Sequence, residues 1–148
     1  MADQQTTPLG LFNYAESYWQ SAVALQKARV QATHAASPVL FLYYHAVELY
    51  LKACLHGNGI SIPELRKNFG HSALKLAVEA QRYGIQFDEE DMEVFSYMTD
   101  TDAVIDSRYL RTGYFNRPTH EALDRTCQSI RQLIGTALKK KGYSVHWI

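Results

Sequence analysis

Four polar side chains, His45, Glu48, Lys52 and His56, follow one another in steps of three, four and four through a stretch that is otherwise apolar from Val39 to Leu55. On a helix turning about 100° per residue they fall within an arc of roughly 80°, one above the next. Glu48 and Lys52 are spaced for an ion pair with the acid on the N-terminal side, the favourable order. Two readings of this stripe stand side by side. It is a structural polar seam reaching Arg or Tyr groups on other elements, or it lines a cleft or dimer interface in which His45 and His56 titrate near neutral pH. A metal site is not expected. Carboxylate-bridged metal sites in helical bundles use Glu followed three residues later by His, on two helices. Here the order is reversed and occurs once.

Two further clusters carry chemistry. From Asp106 to Pro118 the arginines Arg108, Arg111 and Arg117 alternate with Tyr109, Tyr114 and Phe115 beside Gly113. Guanidinium forks suit phosphates and aromatic rings stack on bases. The plain alternative is a long loop pinned by its aromatics, with its arginines paired to acids such as Glu48 or Asp106. The third cluster is Arg66 and His71 with four residues between them. That spacing is the core of a metal-independent ribonuclease motif. The histidine would move a proton to or from a 2′-hydroxyl or a leaving oxygen, and the arginine would stabilise the phosphorane charge. The spacing is common by chance in a chain with this many Arg and His residues, and Arg29 with His34 also fits it. His71 also reads simply as an N-terminal residue of a helix. No Gly-rich phosphate loop after a strand and no paired-cysteine metal spacing is present.

The elements that must position these groups are helices. Met1 to Gly10 reads as a flexible arm. A first helix is predicted from Leu11 to Thr33, with Ala15, Tyr18, Trp19, Ala22 and Leu25 inward and Glu16, Gln20, Gln26 and Lys27 toward water. Ser37 and Pro38 form a cap and first turn for the second helix, and Gly57, Asn58 and Gly59 end it. This helix has the least polar surface and is expected at the centre. A short turn of helix fits Pro63 to Lys67. A third helix starts near His71 or Ser72 with Leu74, Ala77 and Val78 inward, and stops at Gly84. Asp88 caps a fourth with Met92, Phe95 and Met98 inward and Glu89, Glu90 and Asp91 at its positive end. Thr119 caps the last, to Lys141, with a seam of Leu123, Cys127, Ile130, Ile134 and Ala137. Gly142 to Ile148 is an aromatic tail.

Bulk properties narrow the classes. The chain has 148 residues, 47% hydrophobic and 20% charged, with formal net charge zero and pI near 7.0. One domain with one core is expected. A balanced charge excludes wholesale attraction to nucleic acid or anionic membrane, so any basic site is local. Cys54 and Cys127 fall inside predicted helices and read as buried thiols of a reducing compartment. Met1 to Gly10 lacks the apolar core of a secretory leader. The run from Val39 to Leu55 is too short, and too charged at its centre, to span a membrane. A cytoplasmic protein without membrane contact is expected, and no cofactor is called for.

Three places, in order along the chain, resemble the HEPN family (higher eukaryotes and prokaryotes nucleotide-binding). Tyr44-His45-Ala46-Val47-Glu48-Leu49-Tyr50-Leu51-Lys52-Ala53 is similar to the family's Ala/Glu-Leu-x-Leu-Lys-Ala core. Gly70-His71-Ser72-Ala73-Leu74 is similar to its Gly/Thr-His-Asp-Leu, with Ser72 in place of Asp. Arg108-Tyr109 is similar to its Arg-Tyr after the fourth helix. The resemblance spans roughly Leu11 to Lys141. It implies an all-α, antiparallel up-and-down bundle of four to five helices, and usually a homodimer. Its members include ribonucleases, toxins, partners of small nucleotidyltransferases and inactive nucleic-acid-associated modules. On this basis the chain is expected to be a binding module for RNA, a nucleotide or a nucleotidyltransferase-type protein. Its polar seam would comprise His45, Glu48, Lys52, Arg108, Tyr109 and Arg111, with Glu48 facing inward toward Arg108. The alternatives are a metal-independent endoribonuclease using Arg66 and His71, and a purely structural bundle whose tail docks on a partner.

Overall fold

A computed structural model of the chain describes residues 6–100 and 118–146. Among the described residues there are six helices and no strand: α1 (Pro8–Ala28), α2 (Ala36–Gly57), α3 (Ile62–Asn68), α4 (Ala73–Gln81), α5 (Glu89–Asp100) and α6 (His120–Lys140). The all-α bundle is as expected, and α2 is its centre. It packs against α1, α3, α4 and α6, with Tyr43, Tyr44, Val47, Tyr50 and Leu51 buried along it. No helix among the described residues is long and apolar enough to cross a membrane.

Local chemistry explains most boundaries. Thr7 caps α1 by accepting a hydrogen bond from Gly10 N at 2.9 Å, and Pro8 fills the first turn, where its missing N–H costs nothing. The helix therefore begins inside the stretch expected to be an arm. It also stops before Thr33, because Arg29 turns left-handed at φ 52° and breaks the ladder. The Ser37–Pro38 pair does not cap α2. The helix already starts at Ala36, with no side-chain cap, and Pro38 is tolerated because first-turn N–H groups have no intrahelical partner. The short turn around Pro63 is a full α3, closed by a reciprocal capping box between Ser61 and Glu64. Asp88 and Thr119 cap α5 and α6 as expected, accepting from Asp91 N at 2.8 Å and Ala122 N at 3.1 Å.

The buried faces shift by about one residue in two places. In α4 the inward residues are Ala73, Leu76, Ala77 and Ala80, while Val78 is 48% exposed. In α6 the seam of Leu123, Cys127, Ile130 and Ile134 holds, but Leu138 closes it instead of Ala137. Leu138 also explains Gly57. A Cβ at position 57 would lie 2.8 Å from Leu138 Cδ2, so a side chain there would force Leu138 to shift where α2 ends against α6. Beyond α6 the chain folds back, with Gly142 N and Tyr143 N donating to Lys139 O and Leu138 O. Val145 is then buried in the chain's own core. Both cysteines are free and buried.

Glu16, expected to face water, is buried instead. Its Oε1 accepts from Tyr50 Oη on α2 and Arg131 Nε on α6, each at 2.6 Å. The Arg131 guanidinium also lies 5.3 Å from the Trp19 ring centroid, and Trp19 Nε1 donates to Asp124 at 2.8 Å. One ion pair thus joins three helices inside the bundle. Breaking it from one side strands a buried charge, which costs about 3–5 kcal/mol. Arg131→Ala is therefore expected to lower unfolding free energy by about that amount in urea titration at neutral pH. The double replacement Glu16→Leu with Arg131→Met, which removes both charges, is expected to cost less than Arg131→Ala alone.

Candidate functional site

The polar stripe of α2 is a hub built on one carboxylate. Glu48 is 3% exposed. Its Oε1 accepts from Lys52 Nζ at 2.9 Å, one turn later on the same face, and from His71 Nδ1 at 2.6 Å. His45 Nδ1 stands 3.6 Å from Oε2, held by the edge of Tyr18 and stacked on Phe41. Helical spacing places His45 and Lys52 beside Glu48. His71 is brought from another part of the chain. It sits in the connection between α3 and α4, after Gly70 at φ 55° and before Ser72, which caps α4 by accepting from Lys75 N. Only a residue without a Cβ turns the chain this way at no steric cost. His71 therefore precedes the helix cap instead of opening the helix.

Electrostatics follow from that geometry. Burial pushes the Glu48 carboxyl up, but His45, Lys52 and His71 together outweigh it and hold the group at about 2. The carboxylate is thus charged throughout the physiological range. With Nδ1 donating to Glu48, His71 carries its other ring nitrogen away from the carboxylate. Its side chain is 72% exposed, so this nitrogen is offered to solvent or a ligand, with its tautomer set from behind. This is an oriented acid–base group, in contrast to the two thiols. Burial pushes the Cys54 thiol up to about 11 and raises that of Cys127 well above the ordinary range, so neither is a nucleophile near neutral pH.

The other sequence candidates divide. Arg66, exposed on α3, lines a pocket of about 230 Å³ together with Lys52. Arg66 thus shares a pocket with Lys52, whereas His71 bonds Glu48 directly. His56 leaves the stripe. Its two ring nitrogens face Ile60 O at 2.8 Å and Thr6 O at 3.0 Å, strapping the chain before α1 to the loop after α2. Arg108, Tyr109 and Arg111 lie outside the described residues, and so does the expected pairing of Glu48 with Arg108. Among the described residues no group of three or more His, Cys, Asp or Glu side chains is arranged to hold a metal ion.

Sequence reasoning missed two other buried acids, Glu16 and Asp91. Asp91 is 1% exposed and accepts from Thr126 Oγ1 at 2.7 Å and Ser129 Oγ at 2.6 Å on α6. Burial raises its carboxyl, against the two hydroxyls that favour the charged form. A signal for both existed in the helical register. Glu16 is four residues from Phe12 and three from Trp19; Asp91 is four from Phe95; Arg131 is four from Cys127 and three from Ile134. Each stands in line with an apolar face.

The model of the HEPN domain matches residues 11–141. That is most of the chain, and the chain belongs to the HEPN domain family. No curated protein and no solved structure matches it. Membership agrees with the helical bundle and defines a nucleotide-associated or ribonuclease-like helical module.

The Glu48 hub makes acid stability its clearest signature. The carboxyl titrates near 4.5 when unfolded and about 2 when folded. Its stabilising contribution is therefore complete above 4.5 and is lost as pH falls through 2. Between those limits wild type is expected to lose on the order of 3 kcal/mol more than Glu48→Gln. Parallel denaturation curves of the two proteins across that range check this. Equal pH slopes would show that Glu48 is not held by its neighbours.

Proposed function

We propose that this chain is a homodimeric, nucleic-acid-associated binding module whose phosphate-contacting face is the rim of the Glu48 hub. The observation that carries this reading is the gathering of His71, Lys52 and His45 around one buried carboxylate, with the His71 imidazole open to solvent and Arg66 lining a pocket with Lys52. The carboxylate fixes Lys52 and His71 in advance, so a ligand meets an ammonium with N–H groups left for a phosphate and an imidazole whose outer nitrogen can accept from a ribose hydroxyl. In a chain of zero net charge this local cluster, and not overall attraction, would supply the electrostatic part of binding. Such a module suits an RNA or nucleotide ligand, and it suits work beside a nucleotidyltransferase-type partner or in a toxin–antitoxin pair. A second copy is supported by the groove at the α1–α2 junction, about 680 Å³ and lined largely by apolar residues such as Leu25, Val30, Pro38 and Leu42. Val30 there is 47% exposed.

A second reading has its own observation. The Glu48–His71 hydrogen bond is the arrangement that turns an imidazole into an oriented general base. In a metal-independent ribonuclease the outward nitrogen of His71 would take the proton of an attacking 2′-hydroxyl, and Arg66 would stabilise charge on the phosphorane.

One set of measurements separates the two. Fluorescence anisotropy with single-stranded RNA is expected to show salt-dependent binding. Arg66→Ala should weaken it several-fold and lower the salt slope by about one lost phosphate contact, and His71→Ala should weaken it with the slope unchanged. Incubation of varied RNAs in EDTA is expected to leave them intact. Cleavage by wild type, lost in both variants with the fold retained, would establish the ribonuclease reading instead. Light scattering is expected to give twice the chain mass of 16.9 kDa, and a strict monomer at high concentration would remove the dimer.

A further inference from the structure

Beside the hub lies a pocket with a different character. It is about 230 Å³, between the start of α1, the middle of α2 and α3. Its walls include Leu49, Ile62 and the buried Leu65, and two cation-bearing side chains, Lys52 and Arg66, line it as well. Tyr14, on the same lining, is 62% exposed, the most exposed large hydrophobic side chain among the described residues. A ring this exposed can stack a planar group against its face. The volume lies below the roughly 300–1,000 Å³ of sites for drug-sized ligands, so it suits one ring system. An apolar cleft edged by an aromatic face and two cations matches a planar, weakly polar group attached to an anion. The larger groove at the α1–α2 junction has apolar walls but neither lysine nor arginine in its lining.

We infer that this pocket is a single-nucleotide subsite for unpaired RNA. The base enters among Leu49, Ile62 and Leu65 and stacks on Tyr14, and its phosphate lies at Lys52 and Arg66. Lys52 belongs to both places, since its Nζ also bonds the Glu48 oxygen that holds His71. A strand held in the pocket by one base therefore has its adjoining phosphate next to the hub. The pocket prefers single-stranded over duplex RNA, because a paired base cannot leave its stack without a cost. This assignment rests on the reading of the Glu48 rim as an RNA-contacting face.

The test is anisotropy with two fluorescent oligomers of equal length, single-stranded RNA and its abasic analogue, which keeps the phosphates and lacks the bases. Wild type is expected to prefer the base-bearing oligomer. Tyr14→Ala should weaken that oligomer about tenfold, the size of one lost base–aromatic stack, and leave the abasic one unchanged. Tyr14→Trp should restore binding. Tyr14 is exposed, so the variants should fold, and thermal melting checks this. His71→Ala should weaken both oligomers. If Tyr14→Ala binds base-bearing RNA as wild type does, or loses both oligomers equally, the subsite is overturned and the phosphate face stands. If wild type binds neither oligomer, the functional reading itself is overturned.

Discussion

A carboxylate withdrawn from water destabilises a protein unless donors and cations replace its hydration. Glu48 imposes that demand at the centre of the most apolar helix of the chain. The demand is met by Lys52 from the same helix and by His71 from the next connection, both on one oxygen, with His45 near the other. Much of the arrangement around it follows. The α3–α4 connection must bring His71 back to α2, so it turns at a left-handed Gly70 and restarts at the Ser72 cap. Because His71 is anchored through Nδ1, the rest of its ring stays outside. The group that satisfies a buried charge is therefore also the one presented to solvent.

Two other buried acids show the same physics without that outward end. Glu16 is enclosed by Tyr50 and Arg131, and its ion pair fastens α1 and α2 to α6. Asp91 is enclosed by hydroxyls of Thr126 and Ser129 and fastens α5 to α6. Each ties helices together and ends inside the bundle. The difference between these acids and Glu48 lies in the exposure of their partners. Arg131 is buried, whereas the His71 side chain is mostly exposed. That contrast separates a seam that holds the bundle together from one with chemistry to offer.

Much of this is legible in the residue pattern. The caps at Asp88 and Thr119, the central place of α2 and the seam of α6 follow from residue types and spacing, and the family is legible in three motifs that resemble its own. The failures share a cause. Polarity alone places Glu16 in water, whereas its register with Phe12 and Trp19 points inward. Nothing in the type of Arg29 announces the left-handed turn that ends α1, so the pattern alone runs the helix on to Thr33. Ser37 and Pro38 look like a cap and first turn, yet both fall inside a helix that starts one residue earlier. On α4 the apolar residues occupy more of the circumference than the contact needs, so the pattern left the buried face free to rotate by one position.

The sequence by itself determined which segments are helical, the caps at Asp88 and Thr119, and that His45, Glu48 and Lys52 share a face. These are consequences of a period of 3.6 residues and of hydrogen bonds three or four residues apart. Tertiary structure decided that Glu48 meets His71, that Glu16 meets Arg131 across nearly the whole chain, and that His56 straps Thr6 and leaves the stripe. Helical periodicity relates a residue to its neighbours one turn away and is silent about distant ones. Their pairing is chosen only when the apolar faces dock, because only then are the charges desolvated and the wrong partner becomes costly.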